Sequence, residues 1–156
     1  NNITLQADDK GVPVAEITPH SDLLIGHRPV RLTAHQHTLV RRYRQQAVHI
    51  ALKGIEIGRQ GADIGLHAAW PAAMMALFGA SDDSIEQRVQ KKLAPIHMAA
   101  AKLCDALPAL MSTEQQLAAS LSAFRPYATL TPEKIDQCRS DALDRNDVTS
   151  VRTRED

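Results

Sequence analysis

Eight small residues fall on one line of what reads as a single long helix: Ala47, Ala51, Gly54, Gly58, Gly61, Gly65, Ala68 and Ala72. Their spacing alternates four and three without a break, the heptad rhythm of a helical face pressed against another helix. Four of the seven glycines in the chain lie on it. A glycine inside a helix costs about 0.5–1 kcal/mol relative to alanine, so four of them need a compensating gain. Close approach supplies one, because a second backbone can pack along a surface without side chains. The stripe therefore predicts a helix-packing or interaction face. On its flanks run Tyr43, Ile50, Ile57 and Ile64 on one side, and Val48, Ile55, Ala62 and Leu66 on the other. These make it the centre of a broad apolar surface, predicted to be a buried seam.

The helix carrying the stripe opens at Thr33-Ala34-His35-Gln36, a capping box with Thr33 as N-cap and Gln36 at the third helical position. Running to about Gly79, it would be roughly 65 Å long at 1.5 Å per residue, with a kink expected at Pro71. Gly79 to Asp83 breaks it and caps a second helix. There Ile85, Val89, Lys92, Ile96, Ala99, Leu103, Ala106 and Leu110 repeat the four-three ladder. A short connection implies antiparallel neighbours, so the second ladder is the natural partner of the first. Ser112-Thr113-Glu114-Gln115 reads as a further capping box, opening a third helix to about Ala123. Thr131-Pro132-Glu133 reads as the start of a short fourth helix that carries Cys138.

Residues 1–32 have a different pattern. Short alternating segments, Ile3-Thr4-Leu5 and Val12 to Ile17, flank the turn residues Asp8 to Gly11. Leu23-Leu24-Ile25 and Val30-Arg31-Leu32 surround Gly26-His27, which suits a tight hairpin with glycine at its first central position. An antiparallel meander follows, with Pro13 and Pro29 at strand starts or edges.

Composition narrows the function classes. Eighteen basic and eighteen acidic side chains balance to a formal charge of zero, which gives no support to nucleic-acid binding. The aromatics are one Trp, two Tyr and two Phe, too few for a base-stacking platform. No phosphate loop, zinc-binding His/Cys motif or nucleophile elbow is present, so no catalytic residue, metal site, cofactor or small-molecule substrate is identified. Asp63 and His67 stand four apart, with Glu56 and Gln60 on the same side, and read as a solvated polar face. Arg41, Arg42 and Arg44 around Tyr43 read likewise. The apolar segment 68–79, with Trp70, Met74, Met75 and Phe78, is either the cap of the helical core or a contact tip for a partner or a membrane surface. No run reaches the ~18 apolar residues of a membrane span. The chain starts Asn1-Asn2-Ile3, as a mature exported protein and a trimmed fragment both would. Cys104 and Cys138 are either one disulfide or two free thiols; their spacing does not choose.

Certain phrases carry a resemblance. Ile17-Thr18-Pro19, Asp22-Leu23-Leu24-Ile25-Gly26 and Val30-Arg31-Leu32-Thr33 are followed by Gln36, Leu39 and Tyr43, then Gly54-Ile55-Glu56-Ile57-Gly58. The pattern is similar to the YggN-like family, exported proteobacterial proteins grouped as a domain of unknown function. Leu117-Ala118-Ala119, Phe124-Arg125-Pro126-Tyr127-Ala128 and Cys138-Arg139 extend the likeness. It covers residues 15–65 best and 95–140 more loosely. The resemblance implies export behind a signal peptide, a periplasmic address and a Cys104–Cys138 disulfide; it implies no catalytic residues.

The expected fold is α+β, mostly α: a long antiparallel helical hairpin, a small N-terminal antiparallel β-meander and short C-terminal helices. Residues 1–145 are expected to form one domain (meander 1–32, helical 33–145), with 146–156 as a flexible tail. The expected function is that of a non-enzymatic periplasmic protein, envelope-associated and working through protein–protein contacts, with a second copy or another periplasmic protein as partner. The alternative is a lipid- or envelope-surface-binding protein using segment 68–79.

Overall fold

The computed structural model describes the backbone of residues 1–78 and 94–144, and the side chains of residues 1–60 and 94–142. The fold is α+β and mostly α. Four short strands, β1 (Ile3–Leu5), β2 (Ala15–Ile17), β3 (Leu23–Ile25) and β4 (Arg28–Pro29), precede the helices. These are α1 (Ala34–Phe78), α2 (described over 94–104), α3 (Leu107–Ser120), a 3₁₀ helix (Ser122–Tyr127) and α4 (Pro132–Asp144). Two compact units divide the chain: Asn1–Ile50 with Ala106–Ile135, and Ala51–Asp105 with Asp136–Asp156.

In the first unit the strands form an antiparallel meander in sequence order. Ile3 pairs with Ile17 and Leu5 with Ala15; Ile17 in turn pairs with Leu23 and Ala15 with Ile25. With a side-chain period of two, this register collects Ile3, Leu5, Ala15, Ile17, Leu23 and Ile25 on one face. Ala15, Ile17 and Leu23 on that face are fully buried. The expected hairpin at Gly26-His27 forms, but its returning strand is Arg28–Pro29, not the expected Val30-Arg31-Leu32. The φ angles of Gly26 and His27 are 54° and 62°. Both are left-handed, as a type I′ turn requires, so the asparagine-or-glycine preference of such turns is met at only one of the two positions. Pro29 lies on the edge strand, where its missing N–H costs no ladder bond.

The capping box at Thr33 is made in both directions. Thr33 N–H donates to Gln36 Oε1 at 2.9 Å, and Gln36 N–H donates to Thr33 Oγ1 at 3.2 Å. From there α1 turns Leu39, Val40 and Tyr43 inward, positions three and four apart. Its neighbour in this unit is α3, and the two run antiparallel. Gln36 Nε2 donates to the Ser120 carbonyl, Tyr43 hydroxyl to Glu114, and Gln46 Nε2 to the Ala109 carbonyl, so the partner number falls as the α1 number rises. Leu110, Leu117, Phe124 and Tyr127 complete the core beneath the sheet. The Tyr43 and Phe124 rings meet edge to face with centroids 5.9 Å apart, a favoured aromatic geometry.

The second ladder is not one helix through Leu110. The helix ends at 104, residues 105–106 form a turn, and α3 begins at Leu107 with Pro108 in its first turn. Proline has no N–H to donate and its ring crowds the carbonyl four residues earlier, so it starts a helix more readily than it continues one. For the same reason Ser112–Gln115 is no helix start; it lies inside α3, where Thr113 Oγ1 donates back to the Ala109 carbonyl at 3.2 Å. The third helix ends at Ser120, not Ala123, and a 3₁₀ turn follows. The fourth starts where expected: Lys134 N–H donates to Thr131 Oγ1 at 3.2 Å, with Pro132 at the first helical position. α1 continues past Pro71 as one helix. Residues 85–93, and the tail expected at 146–156, lie outside the described residues.

In the second unit, Gly54 of α1 faces Leu103 of α2: a Cβ placed on Gly54 would lie 3.7 Å from Leu103 Cδ2. Cys104, at the end of α2, and Cys138, on α4, hold their sulfurs at disulfide bonding distance with Cα atoms 5.9 Å apart. Arg139 Nε donates to Asp105 Oδ1 at 3.2 Å beside them.

Candidate functional site

The small-residue line divides into parts with different surroundings. Ala47 is half-buried and packs against the core of the first unit. In the second unit, Ala51 is exposed, Gly54 is half-buried against Leu103, and Gly58 is exposed with no atom of the described residues within 4 Å of where its Cβ would stand. The expected buried seam therefore fails at Ala51 and Gly58. Heptad spacing measures where residues lie around a helix, and it cannot say whether a partner extends that far. Gly61, Gly65, Ala68 and Ala72 follow on the α1 backbone, as do Trp70, Met74, Met75 and Phe78; their side-chain surroundings lie outside the described residues, as do those of Asp63 and His67.

Beside the stripe, α1 points two large apolar side chains outward. Leu52 is 61% exposed and Ile55 60% exposed. They stand three residues apart and so share one side of the helix. Lys53, Glu56 and Arg59 are exposed around them, and Arg59 Nη1 lies 3.8 Å from Glu56 Oε2. An exposed pair of this kind adds little to stability, about 0–1 kcal/mol. The polar rim is thus ordinary helix surface, and Leu52 and Ile55 are its unusual members. Met98 on α2 is also 61% exposed.

The basic cluster on α1 is less uniform than its sequence suggests. Arg41 and Arg42 are exposed, but Tyr43, which follows them, is turned into the core. Arg44 is half-buried, and its Nη2 donates to the Asn1 carbonyl at 3.0 Å. Its Nη1 is buried without a hydrogen-bond partner, as is Oε1 of Gln46, among the described residues.

One buried charge-bearing group was not legible as such. Glu114 reads in sequence as a helix-start residue, yet it is only 2% exposed. Its Oε2 accepts the Leu130 N–H at 2.8 Å, and its Oε1 accepts the Tyr43 hydroxyl at 3.5 Å. Burial pushes its carboxyl above the ordinary glutamate range, while bonds from the Leu130 and Thr129 N–H groups and from Tyr43, together with the Lys134 charge, pull the other way. Burial, followed by the neighbouring carboxylate, likewise raises the Tyr43 phenol far above its usual value. The available signal was the helix phase: once α3 starts at Leu107, the spacing Leu110, Glu114, Leu117 puts the glutamate on the apolar line.

Among the described residues, no group of three His, Cys, Asp or Glu side chains could hold a metal ion, and no helix is long and apolar enough to cross a membrane. No family model, curated protein or solved structure matches the chain.

Proposed function

We propose that this is a protein of the bacterial envelope that works by protein–protein contact rather than catalysis, using the outward side of α1 around Leu52 and Ile55. The observation that carries the reading is the exposure of those two side chains on one helical side, at 61% and 60%, beside the open backbone at Gly58. Large aliphatic side chains adjacent on a helix and left in water are a standing source of association energy, about 25 cal/mol for each Å² of apolar surface covered. A small residue next to them lets a partner's backbone come close, which is the use proposed for the stripe. An exported, periplasmic address is supported by the Cys104–Cys138 pair at bonding distance, since disulfides persist in oxidising compartments. The resemblance to the YggN-like family supports the same address.

Self-association is the most direct version to test. Sedimentation of the wild-type chain over a concentration series reaching tens of micromolar is expected to show a reversible dimer. Leu52→Asp with Ile55→Asp is expected to abolish it while changing the stability of the dilute monomer by no more than the helix-propensity difference, because both positions are already in water. A strict monomer at the top of the series would remove the self-association version. Pull-downs from periplasmic extract with wild type and the double variant then test the version with a different partner: identical captures would remove that as well.

A further inference from the structure

Glu114 is the one acidic or basic side chain buried among the described residues; the other buried groups that titrate are the phenols of Tyr43 and Tyr127. Glu114 sits where three pieces of the first unit meet. It belongs to α3, Tyr43 reaches it from α1, and the segment 128–131 folds over it to deliver the Leu130 N–H at 2.8 Å. The cation that faces it is Lys134, in the first turns of α4. That ammonium is committed elsewhere: it donates to the Thr129 carbonyl at 2.8 Å and to Asp8 Oδ2 at 3.3 Å, from the turn after β1. Among the described residues no Lys, Arg or His forms an ion pair with Glu114. The 3₁₀ helix packed alongside contributes Tyr127, whose hydroxyl is directed to the Pro13 carbonyl.

A carboxylate removed from water and left without a paired cation is costly to keep ionised, even when backbone N–H groups bond it. A protonated carboxyl keeps one oxygen free to accept the Leu130 N–H, and its new O–H can donate to the Tyr43 phenol oxygen in place of the 3.5 Å bond that the phenol donates to the ionised form. We propose that Glu114 is a proton-operated latch: the segment 128–131 closes onto α3 more firmly when Glu114 carries a proton than when it is ionised.

The sign follows from where the proton is held more tightly. With segment 128–131 in place the carboxyl is 2% exposed, and burial outweighs the bonds that favour its charge. A group whose pKa is higher closed than open stabilises closure fully below the open-state value, and that stabilisation is lost as pH rises through the closed-state value. Each unit by which the closed-state pKa exceeds the open-state one is worth about a tenfold change in the opening constant. Tyr43 does not blur this, because its phenol stays neutral far above the range concerned. The latch thus tightens in acid, opposite to the usual acid loosening of paired carboxylates.

Amide hydrogen exchange at Leu130 and Thr129 tests it, corrected for the intrinsic pH dependence of exchange and run from about pH 4 to about pH 7. In the wild type, protection at Leu130 is expected to fall as pH rises. Glu114→Gln keeps an acceptor for Leu130 and a donor for Tyr43 but cannot titrate; its protection is expected to be flat across the range. Wild-type protection that is flat or increases with pH would overturn the latch, as would an E114Q profile with the wild-type slope. A second measurement does not depend on the variant folding: the wild-type Glu114 side-chain carbon, titrated by NMR, must show a pKa above the ordinary glutamate value, and one at or below that value overturns the proposal.

Discussion

The first compact unit and the described part of the second use opposite means to hold helices in place. In the first, α1 and α3 lie against the inner face of a four-stranded meander, and Phe124, Ile17, Leu23, Leu39, Leu117 and Val40 are fully enclosed. Even its buried carboxylate is wrapped by backbone donors. In the second, the same helix α1 leaves Leu52 and Ile55 in water, and the buried hydrophobic residue recorded there is Cys104. Among the described residues, α2 and α4 are joined by a cysteine pair at disulfide distance and the exposed contact of Arg139 with Asp105. Among the described residues, one unit rests on burial, which grows with apolar area, and the other on a cysteine pair at disulfide distance, a kind of link that acts mainly on the unfolded chain. A single amphipathic helix thus serves two kinds of construction, and its sequence changes accordingly. Leu39, Val40 and Tyr43 give way to Ala51, Gly54 and Gly58.

Substitutions can set these two constructions against each other, and the largest contrast is expected between Phe124 and the Leu52/Ile55 pair. Phe124→Ala removes a fully buried ring that touches both Tyr43 and Tyr127, and is expected to cost about 3–5 kcal/mol in denaturant unfolding. Leu52→Ala and Ile55→Ala, measured the same way on dilute protein, should each stay within about 0.5 kcal/mol. Comparable losses at the two places would mean that α1 is covered as thoroughly in the second unit as in the first.

Next in size is the cysteine pair. Cys104 and Cys138 close a loop across a sequence separation of 34, for which chain entropy gives about 3–4 kcal/mol. Replacing both by serine is expected to lower the protection of α2 and α4 amides by most of that amount in hydrogen exchange. Unchanged protection there would show that packing, not the cross-link, holds these helices.

How far these contrasts could be foreseen depends on the reach of the forces involved. The meander, the Thr33 capping box, the Gly26-His27 hairpin and the Thr131-Pro132 helix start were legible because each is fixed by neighbours within four residues. The break at 105–106 was written in Pro108, but the four-three ladder running through it carried the opposite message. Glu114 was misplaced for a related reason. A Ser-Thr-Glu-Gln string satisfies the capping pattern, and only the earlier helix start at Leu107 turns the glutamate inward. The extent of cover over the stripe was not legible at all. Periodicity marks the side of a helix that wants a neighbour, whereas the neighbour's reach is set by tertiary packing elsewhere in the chain.

A smaller effect is expected at the point where α1 enters the first unit. Thr33→Ala removes the side-chain acceptor for the Gln36 N–H and should cost about 1 kcal/mol, read as a shift in the urea midpoint. Gln36→Ala removes the reciprocal bond to Thr33 N–H and also the bond to the Ser120 carbonyl, so it should cost at least as much. An inert Thr33→Ala would show that the core beneath sets the helix start without its cap.

The smallest effect has the opposite sign, and it bears most directly on the stripe. If Gly58 is glycine because another helix of the same chain presses on it, a methyl group there must overpack and destabilise. Among the described residues the structure instead leaves open space around the position, in an exposed turn of α1. Gly58→Ala should therefore raise stability by about 0.5–1 kcal/mol, the helix-propensity difference, in the monomer at low concentration. Gly54→Ala meets Leu103 at ordinary contact distance and should gain no more than this. The same Gly58 variant should weaken the proposed self-association, because a partner's backbone could no longer approach as closely. A gain in monomer stability with a loss of dimer would place the use of this glycine between molecules. A loss of monomer stability would place it inside the fold.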